Sequence, residues 1–135
     1  MNGVIKMERI KVLYNDITEE ERRLLEDKLK SIKIKRFYNH ALDRMKEKRI
    51  TKQDVLKAFN NYDIIEVNYS YGTPPRVLIR SKETDYNNYC TCVVLRFDGT
   101  VITCYKNKKT DNHRTLNSKR YKNLYIKNLI SLIIN

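Results

Sequence analysis

The chain has 135 residues, 41% hydrophobic and 33% charged, with 28 Lys+Arg against 16 Asp+Glu and a formal net charge of +12. That length suits one domain with a single core and excludes two, and the composition excludes a disordered chain. So much positive charge opposes compaction by self-repulsion, so a polyanionic partner is expected, RNA before an anionic membrane surface.

Along the chain, Val4–Tyr14 reads as a poorly alternating strand. Thr18 followed three residues later by Glu21 is a capping box, and Leu25, Leu29 and Ile32 then share one face of a helix running to about Ile34. Phe37, Ala41 and Met45 recur at i, i+4 and i+8 and predict a second helix over 37–48; His40, Arg44 and Lys48 form a polar edge beside that stripe. Thr51 and Asp54 start a third helix, with Val55, Leu56 and Phe59 as its apolar side.

From Asp63 the period changes to two: Ile65, Val67, Tyr69 and Tyr71 alternate, as do Val77 and Ile79 after Pro74-Pro75. Tyr89–Phe97 and Thr100–Tyr105 flank Asp98-Gly99, which predicts a two-residue hairpin. In that register Val93, Leu95, Phe97, Thr100, Ile102 and Cys104 share the apolar face. Cys92, Val94, Arg96, Val101, Thr103 and Tyr105 share the more polar one. Tyr121–Ile134 is apolar almost all round and predicts a helix that docks on the domain or on a second copy.

The predicted fold is therefore α+β: N-terminal helices, a mainly antiparallel four-stranded sheet, and a C-terminal apolar helix. One domain is expected over 1–135, with 1–36 an N-terminal helical extension and 122–135 a docking or dimerisation helix. The first residues hold charges that break any signal-peptide core, and the three cysteines have no disulfide spacing, so the expected setting is the cytoplasm of a bacterial or phage-infected cell, without membrane.

Cofactor and metal chemistry are not expected. Cys104 falls on the opposite sheet face from Cys90 and Cys92, there is no carboxylate cluster for magnesium, and three glycines make no phosphate loop. RNA can be cut without metal, because its own 2′-OH attacks the adjacent phosphate when a base or acid and a cation are supplied. His40 and Arg44, one helical turn apart, are the candidates, with Thr103 and Tyr105 as hydroxyls that position phosphate or protonate the leaving group. Lys48, Arg49, Arg96, Lys106, Lys108, Lys109, His113 and Arg114 are the candidate backbone-binding residues. Tyrosines, ten in all, offer rings for unpaired bases. The plain alternative is a surface histidine and an arginine paired with Asp43 or Glu47.

The run Asn39-His40-Ala41-Leu42-Asp43-Arg44-Met45-Lys46-Glu47-Lys48-Arg49-Ile50-Thr51 resembles the HA-x-x-RM helix of a bacterial and phage domain family of unknown function, grouped with the barnase–EndoU–colicin–RelE (BECR) ribonuclease-toxin superfold. The likeness extends over about residues 37–121, through the strand Val101-Ile102-Thr103-Cys104-Tyr105. It implies a RelE-like layout and RNA-directed activity, with the family's helix His and Arg at His40 and Arg44 and its last-strand hydroxyls at Thr103 and Tyr105. The family usually carries Gly where this chain has Arg49. Three readings remain open: a toxin-type endoribonuclease held by an acidic antitoxin or immunity protein; a non-catalytic nucleic-acid or host-factor binder of a phage or mobile element; and an assembly protein, a homodimer through 121–135.

Overall fold

A computed structural model describes residues 10–69 and 72–110. Within them lie β1 (Ile10–Leu13), a 3-10 turn (Tyr14–Asp16), α1 (Glu19–Lys30), β2 (Arg36–Phe37), α2 (Asn39–Lys48), α3 (Lys52–Asn60), β3 (Tyr62–Tyr69), β4 (Arg76–Ser81), β5 (Tyr89–Arg96) and β6 (Thr100–Lys108). The sheet has six strands rather than four, in the order β1-β3-β4-β5-β6-β2. Neighbours run antiparallel except for β2, which lies parallel to β6. The expected C-terminal helix at 121–135 and residues 4–9 of the first predicted strand lie outside the described residues.

Both capping boxes form. Thr18 Oγ1 accepts from Glu21 N–H at 3.2 Å while Thr18 N–H donates to Glu21 Oε1 at 3.1 Å. Thr51 and Asp54 repeat the exchange at 3.0 and 2.9 Å. α1 stops at Lys30, earlier than predicted: the Ser31 hydroxyl donates to the Lys28 carbonyl at 2.6 Å, Ile32 N–H donates to the Leu29 carbonyl at 3.1 Å, and residues 32–35 are in neither helix nor strand. Phe37, predicted in the second helix, pairs with Val101 in β2, because Tyr38 at φ −65°, ψ 152° is the cap from which α2 starts.

All three helices contribute buried side chains to one cluster on one sheet face: Leu25 and Leu29 from α1, Ala41 and Met45 from α2, Val55 and Ala58 from α3. The sheet meets them with Val12, Val67, Val77, Ile79, Val93, Leu95, Val101 and Cys104. Val12 and Leu25 show that the segment before residue 36 is built into the same sheet and core.

The β5–β6 hairpin departs from the predicted register. The strands end at Arg96 and resume at Thr100, so Phe97, Asp98 and Gly99 make a three-residue turn. Leu95 pairs with Val101 and Val94 with Thr103, so Ile102 is a bulged residue. Val101, expected on the polar face, joins the cluster beneath the helices, and Ile102, still buried, is not part of it. Beyond the bulge the predicted pairs Val93–Cys104 and Cys92–Tyr105 hold.

Candidate functional site

The outer edge of the sheet beside β2 is strongly cationic. All eight basic residues between Lys33 and Lys52 are exposed. Asp43 and Glu47 are the acidic residues of that stretch, so eight minus two leaves +6. The stretch 10–30, which forms β1 and α1, holds five basic and six acidic residues, a balance of −1. The charge is thus concentrated where β2, α2 and the start of α3 meet. Tyr38 and Leu42 are exposed apolar groups within this surface, and Lys52 Nζ lies 5.5 Å from the centre of the Phe37 ring.

α2 positions its polar edge because Ala41 and Met45 are buried beneath it. His40, Arg44 and Lys48 are exposed on that edge, with successive side chains one turn, about 5–6 Å, apart. Arg44 Nη1 meets Glu47 Oε2 at 3.4 Å, but both groups are about half exposed, and such a pair is worth ~0–1 kcal/mol. The ion pair foreseen as a bland alternative therefore exists, yet it is too weak to withhold the guanidinium from a phosphate. Arg49 closes the helix in the left-handed region at φ 56°, ψ 42° and is exposed.

Thr103 and Tyr105 are not brought to this edge's face. Thr103 is paired with Val94 and Tyr105 with Cys92, while Val93, Leu95 and Cys104 point to the helices. Both hydroxyls therefore stand on the second face of the sheet, away from α2. Cys90 and Cys92 also lie there, and Cys104 does not.

That second face is organised in cross-strand rows. Asn68, Arg76 and Arg96 form one; Glu66, Leu78, Val94 and Thr103 the next; Arg80, Cys92 and Tyr105 a third. Arg80 Nη1 reaches Asn107 Oδ1 at 3.5 Å. Arg76, Arg80 and Tyr38 were missed from the sequence. The signal is present in the sequence: Val77 and Ile79 alternate as apolar positions, and the complementary positions of the same strand are the two arginines.

The remaining predicted cations divide. The Arg96 guanidinium donates to the Tyr38 hydroxyl and lies 4.9 Å from the centre of that ring. Lys106 points to the helix face, where its Nζ donates to Thr91 Oγ1 at 3.3 Å and pairs with Asp85 Oδ2 at 3.4 Å. Asp85 sits below the usual carboxylate range, chiefly through the Tyr89 N–H it accepts, with Asn87 N–H and Lys106 adding to this against burial. Lys106 is thereby committed to holding the 83–89 loop. Lys108 and Lys109 are exposed at the end of β6. His113 and Arg114 lie outside the described residues.

A family model for a domain of unknown function, DUF4258, matches residues 37–106, more than half of the chain. The chain belongs to the DUF4258 family. No curated protein and no solved structure matches it. The DUF4258 segment starts in β2 and ends in β6, so it contains α2, α3 and the β3–β6 meander, and it carries both His40–Arg44 and the arginine row of the second face. Among the described residues of this DUF4258 member, no cluster of His, Cys, Asp and Glu is placed to hold a metal ion, and no helix is long and apolar enough to cross a membrane.

Proposed function

We propose that this DUF4258 domain binds RNA along its β2–α2 edge. The observation that carries the reading is the +6 balance of exposed cations in the twenty-residue stretch that builds that edge. Cations so arranged release counterions from a phosphate backbone on binding. The exposed Tyr38 ring adds a surface on which an unpaired base stacks, which favours single-stranded RNA over a duplex. An acidic antitoxin or immunity protein would compete for the same surface. Three buried cysteines that form no disulfide among the described residues suit a reducing cytoplasm.

A second reading is metal-independent cleavage, in keeping with the resemblance to the BECR superfold. It is favoured by an exposed imidazole one turn from an exposed guanidinium on the binding edge. In this form His40 takes the proton of the 2′-OH as that oxygen bonds to the adjacent phosphorus, the P–O5′ bond breaks with water protonating the departing 5′-oxygen, and Arg44 neutralises the phosphate oxygens. Thr103 and Tyr105 take no part, since their face of the sheet is turned from α2.

Fluorescence anisotropy with a short single-stranded RNA tests the binding reading. Arg44→Glu with Lys48→Glu should weaken binding and flatten its salt dependence, while Arg23→Glu on α1 should leave both unchanged; equal effects of the two changes would refute a localised edge. Incubation in EDTA tests cleavage: products ending in cyclic phosphate, lost in His40→Ala, support it, and intact RNA with the wild-type protein leaves binding alone.

A further inference from the structure

We infer that the cavity between the ends of α1 and α3, walled by Tyr14, Phe59 and Tyr62 with Glu26 at its side, binds a small aromatic amine, a protonated amino group carried on a flat apolar body. The site lies away from the β2–α2 edge and does not depend on the RNA reading.

The cavity has a volume of about 530 Å³, which suits a small molecule, since such sites span ~300–1,000 Å³. The last turns of α1 supply Glu26 and Leu29, the end of α3 supplies Phe59, and the start of β3 supplies Tyr62 and Ile64. The fold accounts for this convergence: Leu25, Leu29, Val55 and Ala58 lay both helices on the same sheet face, and both helices stop here. The three rings are partly buried against the core and also line the cavity. Phe59 and Tyr62 are stacked, with ring centres 5.6 Å apart and planes 9° from parallel. A flat apolar ligand extends that stack, an arrangement favoured beyond the area it buries.

The chain as a whole carries +12, yet the field in this cavity is negative. Glu26 accepts from the Tyr14 hydroxyl. Burial first, then the bond to Glu26 and its charge, push Tyr14 up to about 12, against the opposing charge of Arg22. Burial and Glu26 also raise Tyr62. Lys30 and Lys82 line the cavity too, but Lys82 pairs with Asp63 at 3.9 Å, and Glu26 rather than either lysine is the charge that acts on Tyr62. A carboxylate has about four lone-pair sites and Tyr14 occupies one, so Glu26 can still take an ammonium group. Two helix C-termini close by favour a cation as well. Aromatic faces attract cations, and Arg22 already lies 5.2 Å from the centre of the Tyr14 ring. Its Nε and Nη2 donate to the Tyr14 and Asn15 carbonyls at 3.1 and 2.7 Å, which fixes Arg22 as a support of Tyr14. The cationic edge does not repel the ligand. β2 is four strand spacings from β3, about 19 Å, and charges are screened over about 8 Å at physiological ionic strength.

The test is titration of the full chain with phenethylamine, followed through the methyl resonances of Leu29 and Ile64. The controls are 2-phenylethanol and phenylacetate, which keep the ring and spacer but are neutral or negative. Phenethylamine should shift both methyl groups saturably and bind about tenfold more tightly than either control. Glu26→Gln keeps an acceptor for the Tyr14 hydroxyl and removes the charge, so it should weaken phenethylamine about tenfold and leave 2-phenylethanol unchanged. Phe59→Leu should weaken both compounds several-fold. Asp27→Asn removes a charge of α1 that does not line the cavity, and should change neither. The site is overturned if phenethylamine gives no saturable shift, if either control binds as tightly as the amine, or if Glu26→Gln acts no more strongly than Asp27→Asn.

Discussion

Gly99 is the point at which the cationic edge is fastened to the rest of the sheet, and replacing it with alanine should detach that edge. Its backbone lies at φ +92°, where an L side chain is strained by ~1–2 kcal/mol. A Cβ placed there would stand 2.2 Å from the Lys33 carbonyl oxygen, so the two backbones must separate by about 1 Å to reach ordinary contact. The Gly99 carbonyl accepts from Lys35 N–H at 2.9 Å and more distantly from Arg36 N–H. Losing the shorter of these removes a further ~1 kcal/mol. The total, about 2–3 kcal/mol, corresponds to a fall in Tm of about 10 °C for a domain of this size. Thermal unfolding followed by circular dichroism, with urea titration to confirm a lower midpoint at unchanged m, reads the loss directly. Gly72 provides the control, because it too has a positive φ, +81°, but nothing lies within 4 Å of its Cβ position; Gly72→Ala should lose only ~1 kcal/mol. Equal losses at the two glycines, or a Tm change below about 2 °C in Gly99→Ala, would refute the claim that close approach to Lys33 is what requires glycine.

Thr51→Ala removes the acceptor for Asp54 N–H and should lower unfolding free energy by ~1 kcal/mol in urea titration. Arg49→Gly relieves a left-handed residue at a helix end and should raise Tm by an amount equivalent to ~1 kcal/mol, while lowering RNA affinity through the lost charge. Burial pushes the Asp98 carboxyl up, but the Thr100 hydroxyl and N–H, with Arg36 and Arg96, outweigh it and hold the group below its ordinary value. A depressed carboxyl stabilises the fold above the unfolded-state value and loses that contribution as pH falls through the folded one; acid unfolding of Asp98→Asn should therefore be less steep below about pH 4. Burial drives the Cys104 thiol up to about 11, so native protein at pH 8 should resist iodoacetamide at Cys104, and modification should appear only in guanidinium.

The helices were legible because their signals are local. Two Thr-x-x-acid boxes and the Ala41–Met45 stripe lie within one or two turns, and each formed where the spacing put it. β2 was not legible. Two residues of parallel pairing, held by Gly99 and Val101 carbonyls from far along the chain, leave no periodic trace near Arg36. β1 was blurred for a related reason: at four residues it is too short for alternation to stand out. Asp98-Gly99 did announce a hairpin, but loop length decides register, and the sequence is compatible with two residues or three. The difference of one residue is absorbed by the Ile102 bulge, which is why Val101 moved to the core while Thr103 and Tyr105 stayed where alternation put them.

The separation of those hydroxyls from His40 follows from α2 lying over β6 on the face opposite to theirs, and it changes what a bound strand can touch. Among the described residues β2 pairs with Thr100 and Val101 of β6, so this edge is one passage between the two faces of the sheet. Tyr38 stands at that passage. Its N–H donates to the Val101 carbonyl at 2.9 Å, its backbone opens α2, and its hydroxyl accepts from Arg96 on the second face. Tyr38 at the start of α2 thus connects the helix edge that carries His40, Arg44 and Lys48 with Arg96 on the second face. The two cationic features, one on a helix and one on the far side of the sheet, are therefore joined by a single aromatic side chain rather than by the sheet interior, and substitutions at Tyr38 should couple them where substitutions at Thr103 or Tyr105 should not.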